Sequence, residues 1–116
     1  MPYVDGYVIP IPKKNLAAYR RLAQKASKVW RDYGALEFRE CAGDDLAAKS
    51  QFRKMAKLKP GETLVFSWVV YKSRADRDRV NAKVLKDPRI AKMMTSDMPF
   101  DPKRMAYGGF KVLVDA

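Results

Sequence analysis

The chain has 116 residues, of which 47% are hydrophobic, so it is long enough and apolar enough for one domain with a buried core. It carries 24 Lys and Arg against 13 Asp and Glu, and this net charge of +11 favours either an acidic partner such as nucleic acid or simply a soluble surface. The absence of histidine excludes the common zinc centres, histidine-ligated haem, and Ser-His or Cys-His nucleophiles.

The sequence also bears on location. No apolar run approaches the roughly 20 residues that span a bilayer. The N-terminus lacks the basic and apolar regions of a secretory signal. The single cysteine, Cys41, excludes an intrachain disulfide and fits a reducing compartment. We therefore expect a cytoplasmic protein with no membrane partner, no metal and no cofactor.

The first part of the chain predicts a strand, a helix and a second strand. Residues 3–11 are rich in β-branched and aromatic side chains, and the prolines at 10 and 12 confine the end of this strand to an edge or a terminus. From about 13–15 to 33, apolar side chains fall in one sector of a helical wheel, and Gly34 suits the left-handed position after a helix. Residues 35–42 alternate as a second strand.

The second part predicts a polar excursion and then a strand, a helix and a last strand. Residues 44–59 are basic without clear periodicity, which indicates a mobile segment with one helical turn. The apolar run at 63–72 favours a central strand covered on both faces. Ser73 caps the next helix, Asp87-Pro88 ends it, and residues 89–94 add an apolar turn. Residues 104–114 form the last strand, in which Gly108-Gly109 mark a bulge or a close backbone approach.

This βαββαβ order predicts an α+β, ferredoxin-like sandwich over residues 1–116, with one sheet and two helices on one of its faces. The other face of the sheet is left open, so it needs a partner or a ligand.

Polar side chains recur at alternate positions of the first two strands. Those of the first strand share one face with Asp5, and those of the second share one face with Arg39. Their polarity predicts that both sets point away from the helices, where aromatic side chains of the third strand join them. Enclosed by a second copy, this face would form a ligand cavity with few polar contacts. The candidate cavity residues are Asp5, Tyr7, Glu37, Arg39 and Trp68.

Two interpretations of these side chains stay open. In the first, a carboxylate buried among aromatic residues has a raised pKa and acts as general acid or base, while Arg39 holds an anionic group and Trp68 shapes the cavity. In the second, Arg39 forms a structural ion pair with Asp5 or Glu37 inside a dimer interface.

Four stretches of the chain resemble the YbaA-like family of small bacterial proteins. They are MPYVDGYVIPIPKKNL, KVWRDYGALEFREC, LKPGETLVFSWVVYKSRADRDRVNAKVLKDPR and MPFDPKRMAYGGFKVLV. The resemblance implies a dimeric α/β barrel, in which two ferredoxin-like copies pair sheet to sheet and enclose one cavity. It implies no particular reaction, because that superfamily includes cofactor-independent monooxygenases, haem-degrading enzymes and stress-response barrels. The missing histidine argues against the haem-degrading branch.

The function predicted from the sequence is therefore a small-molecule-binding homodimer with an inter-sheet cavity, with cofactor-independent oxygenase chemistry as one class. A nucleic-acid-associated protein is the first alternative, and a structural dimer without ligand is the second. The nucleic-acid alternative rests on cations opposite the apolar side of the first helix, which need no base-specific motif to contact phosphates. These are Lys14, Arg21, Lys25 and Lys28.

Overall fold

Four antiparallel strands form one sheet in the order β2-β3-β1-β4, and the helices connect them. The computed structural model describes residues 1–95 and 97–116. The strands are β1 (Tyr3–Pro12), β2 (Glu37–Ala42), β3 (Glu62–Tyr71) and β4 (Ala106–Lys111). The helices are α1 (Leu16–Asp32), α2 (Gln51–Ala56), α3 (Arg74–Leu85) and α4 (Pro88–Met93). The predicted βαββαβ order is confirmed, with α2 and α4 as short additions.

The strand pairing explains where β1 tolerates its prolines. β1 pairs with β3 along its whole length, from Tyr3 opposite Tyr71 to Pro12 opposite Glu62. On its other side, β4 pairs with β1 only as far as Val8. The prolines at 10 and 12 therefore lie where β1 has become an edge, as the sequence predicted. The central position predicted for β3 is also confirmed.

The helix ends follow from local side-chain chemistry. Gly34 after α1 has a φ of +114°, which favours glycine. Ser73 Oγ accepts a hydrogen bond from the Asp76 backbone N–H at 3.1 Å, and this bond caps α3. The carboxylate of Asp87 likewise accepts from the Arg89 backbone N–H at 2.8 Å at the start of α4. These bonds satisfy donors that the first turn of a helix otherwise leaves unpaired.

The core lies between one face of the sheet and the helices α1, α3 and α4. Two apolar clusters fill it, one toward α3 and α4 and the other beneath the first turns of α1. Among the described residues, no helix has the length and apolar content to cross a membrane. The buried members of the two clusters are Val29, Ala35, Val69, Tyr71, Val80, Val84 and Ile90, then Ile9, Ile11, Tyr19, Ala23 and Val65.

The face assignment predicted for β1 is wrong. Tyr3 and Asp5 are buried on the side of the sheet that the helices cover, and Tyr7 packs against both core clusters. Val4 and Val8 take the opposite, open face. The close approach predicted at the glycine pair is present, because a Cβ on Gly109 would lie 2.3 Å from the Tyr3 hydroxyl oxygen.

The predicted excursion at 44–59 contains α2, which lies on the open face. Ser50 Oγ accepts from the Phe52 backbone N–H at 3.2 Å and so caps α2. The Phe52 ring then meets the Phe66 ring edge-on, with 6.3 Å between the ring centres. Phe66 nevertheless remains 44% exposed, so within one chain the second face of β3 is covered only in part.

Candidate functional site

Three of the five predicted cavity residues meet on the open face. Glu37 Oε1 accepts hydrogen bonds from Arg39 Nε at 3.0 Å and from Trp68 Nε1 at 3.4 Å. The Arg39 side chain is 63% exposed, so this ion pair is well solvated in the single chain. The ion pair between Arg39 and Glu37 is one of the two that the sequence left open.

Asp5, the fourth predicted residue, lies on the other face and contacts α3. Asp5 Oδ1 accepts from Arg77 Nη1 at 2.6 Å, and Asp5 Oδ2 accepts from Asn81 Nδ2 at 3.2 Å. The Arg77 guanidinium also stacks over the Tyr3 ring, 4.9 Å from its centre. Asp5 therefore has the charged partner and the hydrogen bonds that a buried carboxylate needs.

The Asp5 network extends to the aromatic side chains of the core. Asn81 Oδ1 accepts from the Tyr71 hydroxyl at 3.0 Å and from Trp30 Nε1 at 3.3 Å. Among the described residues, no buried side-chain nitrogen or oxygen lacks a hydrogen-bond partner. A network that satisfies its own members in this way is typical of a structural element that fixes α3 and α1 on the sheet.

Tyr7, the fifth predicted residue, borders a cavity of about 220 Å³ between the sheet and helices α1 and α4. The walls of this cavity are mainly aromatic, aliphatic and methionine side chains. Its polar side chains come from neighbouring positions of the strands and α1. They are Tyr7, Tyr19, Glu40 and Ser67.

Glu40 is the titratable group that distinguishes this cavity. Its Oε2 accepts a hydrogen bond of 2.6 Å from the Tyr19 hydroxyl. Burial of the carboxyl raises the pKa of Glu40, and the hydrogen bonds from Tyr19 and Ser67 oppose that rise without cancelling it. Glu40 as a whole is nevertheless an exposed residue of the edge strand β2. The rise in its pKa therefore reflects a carboxyl that is withdrawn from water on one side, beside the apolar wall, and hydrated on the other, and groups perturbed in this way are candidates for proton exchange.

The pKa values of the two tyrosines of the cavity are also raised. Burial, and then the negative charge of Glu40, raise the pKa of Tyr19 far above its ordinary value. Burial, and then the charge of Asp5, do the same to the pKa of Tyr7. Both hydroxyls therefore stay protonated at neutral pH and serve as hydrogen-bond donors.

Glu40 also borders an outer groove of about 390 Å³ between α1 and β2. The groove and the cavity share Tyr19, Ala23, Phe38 and Glu40. The residue keeps solvent contact through this groove, so its carboxylate lies at the boundary between solvent and the apolar cavity. Protons and small molecules have a route to it from the α1–β2 side.

Glu40 was absent from the sequence-predicted site, although the sequence carries a signal for it. Alternation places Glu40 on the same face of β2 as Leu36 and Phe38, and Phe38 packs against the core. Glu40 itself is exposed, because β2 is an edge strand, but a charged side chain on the core-facing side of a strand is uncommon and is a candidate for contact with a cavity. That observation alone would have nominated Glu40.

The four predicted basic residues are all exposed, but only Arg21, Lys25 and Lys28 lie on α1, because the helix begins at Leu16 and Lys14 belongs to the 3-10 turn before it. Arg21, Lys25 and Lys28 line a further groove between α1 and α4, whereas Lys14 lies beyond its lining. In the part of the chain that the structure describes, no three Cys, Asp or Glu side chains are grouped to hold a metal ion.

Comparison with solved structures places the fold in the class of ferredoxin-like α+β proteins. A "dimeric ferredoxin-like protein" from an uncultured marine organism has a TM-score of 0.62 at 13% identity, with all of both chains covered. A dimeric ferredoxin-like protein of unknown function from Jannaschia sp. has a TM-score of 0.60 at 14% identity, covering 95% of this chain and 99% of that one. Rv0793 from Mycobacterium tuberculosis has a TM-score of 0.58 at 16% identity and covers 100% and 99% of the two chains.

Sequence comparison then gives the family. Residues 2–102 match the family described as "Protein of unknown function (DUF1428)". The chain is 42% identical to "Uncharacterized protein YbaA" of Escherichia coli K12 over 99% of both chains, and YbaA of Shigella flexneri matches equally well. The chain therefore belongs to the DUF1428 family, and the resemblance to YbaA seen in the sequence is confirmed.

Proposed function

We propose that this protein is a homodimer in which each subunit binds a small, largely apolar molecule between its sheet and helices, where Glu40 exchanges a proton with that molecule. The observation that carries the proposal is the Glu40 carboxylate at the boundary of an apolar cavity, 2.6 Å from the Tyr19 hydroxyl. A carboxylate partly withdrawn from water is a stronger base than one that is fully hydrated, which is the property a general base requires.

The cavity walls favour a particular class of ligand. Aromatic and methionine side chains around 220 Å³ suit a small planar molecule, and the cluster of polar groups suits one acidic O–H or C–H on it. Phenols and enolisable carbonyl compounds have both features. Glu40 would take the proton, becoming a carboxylic acid and leaving the ligand as an anion. The protonated Tyr7 and Tyr19 are the donors available to stabilise that anion.

An oxygenase step is the further chemistry open to such an anion when the reacting carbon carries two hydrogens, with dioxygen as its co-substrate. After the proton transfer, dioxygen would form a C–O bond at that carbon and the O–O bond would then break. One oxygen would stay on the ligand as a carbonyl and the other would leave as water, with the ligand supplying the electrons. This step retains the cofactor-independent class predicted from the sequence, while moving the site from the inter-sheet space to the helix side of the sheet.

The homodimer is supported by the apolar open face. An apolar depression of about 650 Å³ lies there, and its walls include Val4, Val8, Phe66, Trp68 and Phe110. Pairing of two such faces removes these side chains from water. Two of the solved neighbours are described as dimeric. An inter-sheet cavity beside Glu37 and Arg39 stays a prediction for the assembled dimer.

The test uses 4-nitrophenol, whose absorbance reports its ionisation when it binds. Wild-type protein is expected to bind it saturably, with a dependence on pH that follows the protonation of Glu40. Glu40→Gln should bind without that pH dependence. Ala26→Leu, which adds bulk to the cavity wall, should weaken binding by about 10-fold or more, as expected for about 1.4 kcal/mol of lost binding free energy.

Glu37→Gln is the matched control, because Glu37 lies on the same strand but on the open face. It should bind 4-nitrophenol as the wild type does. Binding that Glu37→Gln and Glu40→Gln change equally would contradict the assignment of Glu40. Absence of saturable binding by the wild type would reject the phenol class and favour a structural dimer.

A further inference from the structure

The outer side of α1 carries a line of cations that the proposed cavity does not use. Arg21, Lys25 and Lys28 follow one another at intervals of four and three residues, so they lie along one side of α1, whereas Lys14 lies before the helix in the 3-10 turn Lys13–Asn15. At 1.5 Å per residue, the α1 cations from Arg21 to Lys28 span about 10 Å along the helix.

Helix α4 faces part of this line and adds a second wall. Between the two helices runs a groove of about 610 Å³, which we call the α1–α4 groove. Arg21, Lys25 and Lys28 line it from α1, and Arg89 and Lys92 line it from α4. Its floor is apolar and includes Leu22 and Met93. Positive charges therefore converge on a concave surface instead of spreading over a convex one.

Most of these charges have no counter-ion within the chain. Arg89 is the exception, since it pairs with Asp32 at 2.7 Å and with Asp87 at 3.0 Å. Among the described residues, the three α1 cations of the groove and Lys92 form no ion pair. The one acid in the described lining is Asp97. The groove thus keeps an excess of positive charge, whose mutual repulsion a bound polyanion would relieve.

We propose that the α1–α4 groove binds the phosphodiester backbone of a single-stranded nucleic acid. Four cations on two helices, without an ion pair among the described residues, match a chain of repeated negative charges better than a single anion. A flexible single strand can follow this concave surface, whereas a stiff duplex would contact only its rim. The described lining contains no aromatic side chain for base stacking, so binding depends on phosphate contacts and shows little sequence preference.

The experiment measures fluorescence anisotropy of a labelled oligothymidylate of about 12 nucleotides, a length within the range of known single-strand sites. With about four phosphates contacted, log K should fall against log salt with a slope of about −3, a loss of about 50-fold between roughly 50 and 200 mM salt. Arg21→Glu, Lys25→Glu and Lys28→Glu combined should reduce affinity by at least about 10-fold and flatten the slope to about −1.

Arg74→Glu, Lys83→Glu and Lys86→Glu combined form the matched control, because these exposed cations of the α3 region lie outside the groove lining and the triple variant changes net charge equally. The control should keep most of the affinity. An equal loss in both triple variants would show general charge attraction and overturn the proposal. Tighter binding of a duplex of the same length, or equal competition by polyglutamate, would also overturn it. Circular dichroism of each variant confirms that it is folded.

Discussion

At the scale of single residues, Glu40 places a carboxylate beside an apolar cavity, an environment that disfavours its charged form. Its carboxylate accepts from Tyr19 at 2.6 Å, but the surrounding apolar walls still raise the pKa of Glu40 above the ordinary value. Glu40 is an exposed residue of the edge strand, but its carboxyl is partly withdrawn from water beside the cavity, and this withdrawal costs free energy unless a cation pairs with the charge. No cation forms an ion pair with Glu40 among the described residues. Such a cost at the boundary of a cavity favours a functional role.

This cost predicts how stability depends on pH. The unfolded chain has an ordinary glutamate pKa of about 4.3, while folding raises the pKa of Glu40. Between those two pKa values the folded protein binds more protons, so the free energy of unfolding falls as pH rises through this window. Glu40→Gln should abolish this fall and become more stable relative to the wild type as pH increases. Urea unfolding of the wild type and of Glu40→Gln between about pH 4 and 8 measures this difference in stability.

Glu37→Gln serves as the control, since it removes a carboxyl from the same strand but from the exposed face. It should leave the fall in stability of the wild type in place. If the difference in free energy of unfolding between the wild type and Glu40→Gln stays constant across the pH range, the pKa of Glu40 is the same in the folded and unfolded protein. Glu40 is then no candidate for a general base.

At the scale of elements, β1 shows where the sequence pattern is misleading. A rule that turns polar side chains away from the helices assigns Asp5 and Tyr7 to the open face. The structure instead buries Asp5 because Arg77 and Asn81 of α3, more than 70 positions later, supply its partners. Alternation identifies which side chains share a face, but long-range partners decide which face is buried. The same rule succeeded for Glu37 and Arg39, whose edge strand makes no such contact with α3.

Helix α2 shows a second limit of sequence analysis. Its six residues have too few turns to produce a recognisable period. The contact of Phe52 with Phe66 helps to hold this helix on the sheet, and that contact joins residues distant in the chain. The long helices α1 and α3 were predictable because their apolar spacing and end signals are local.

The Asp5 network predicts that two ion pairs of the sheet contribute very different amounts to the free energy of unfolding. Asp5→Ala leaves Arg77 and Asn81 without their carboxylate in a buried setting, and should lower the free energy of unfolding by about 3–5 kcal/mol. Glu37→Ala removes the same chemical group from the exposed pair with Arg39 and should cost about 0–1 kcal/mol. Urea denaturation compares them directly.

Asp5→Asn provides an intermediate case if Asp5→Ala does not fold. The amide oxygen still accepts a hydrogen bond, but the charge that pairs with Arg77 is gone, so the loss should lie between the other two. Equal stabilities for Asp5→Ala and Glu37→Ala would mean that the network does not hold α3 on the sheet.

At the scale of the whole molecule, the two faces of the sheet differ in what they expose to solvent. The helix face buries the Asp5 carboxylate, while the open face exposes aromatic side chains such as Phe66 at 44% and Phe110 at 60%. An exposed apolar face of this extent marks an interaction surface. Arg39 on the sheet is paired with Glu37, so the charge of its guanidinium is compensated within the same chain. Two copies that each carry a net charge of +11 can therefore bring the apolar part of the sheet together without repulsion between the two Arg39 side chains.

Val8 lies on this open face, between Phe66 on β3 and Ala106 on β4, and gives the decisive test of the dimer. Val8→Lys places a charge in the proposed interface, where desolvation without a partner is costly, and should convert a dimer to a monomer. Ala17→Lys adds the same charge on the exposed side of α1 and should remain dimeric. Native mass spectrometry at equal protein concentration measures both, with circular dichroism as the check on folding. A folded Val8→Lys dimer would exclude this face as the interface, and a monomeric wild type would remove the homodimer from the proposed function while leaving the Glu40 cavity to be tested on its own.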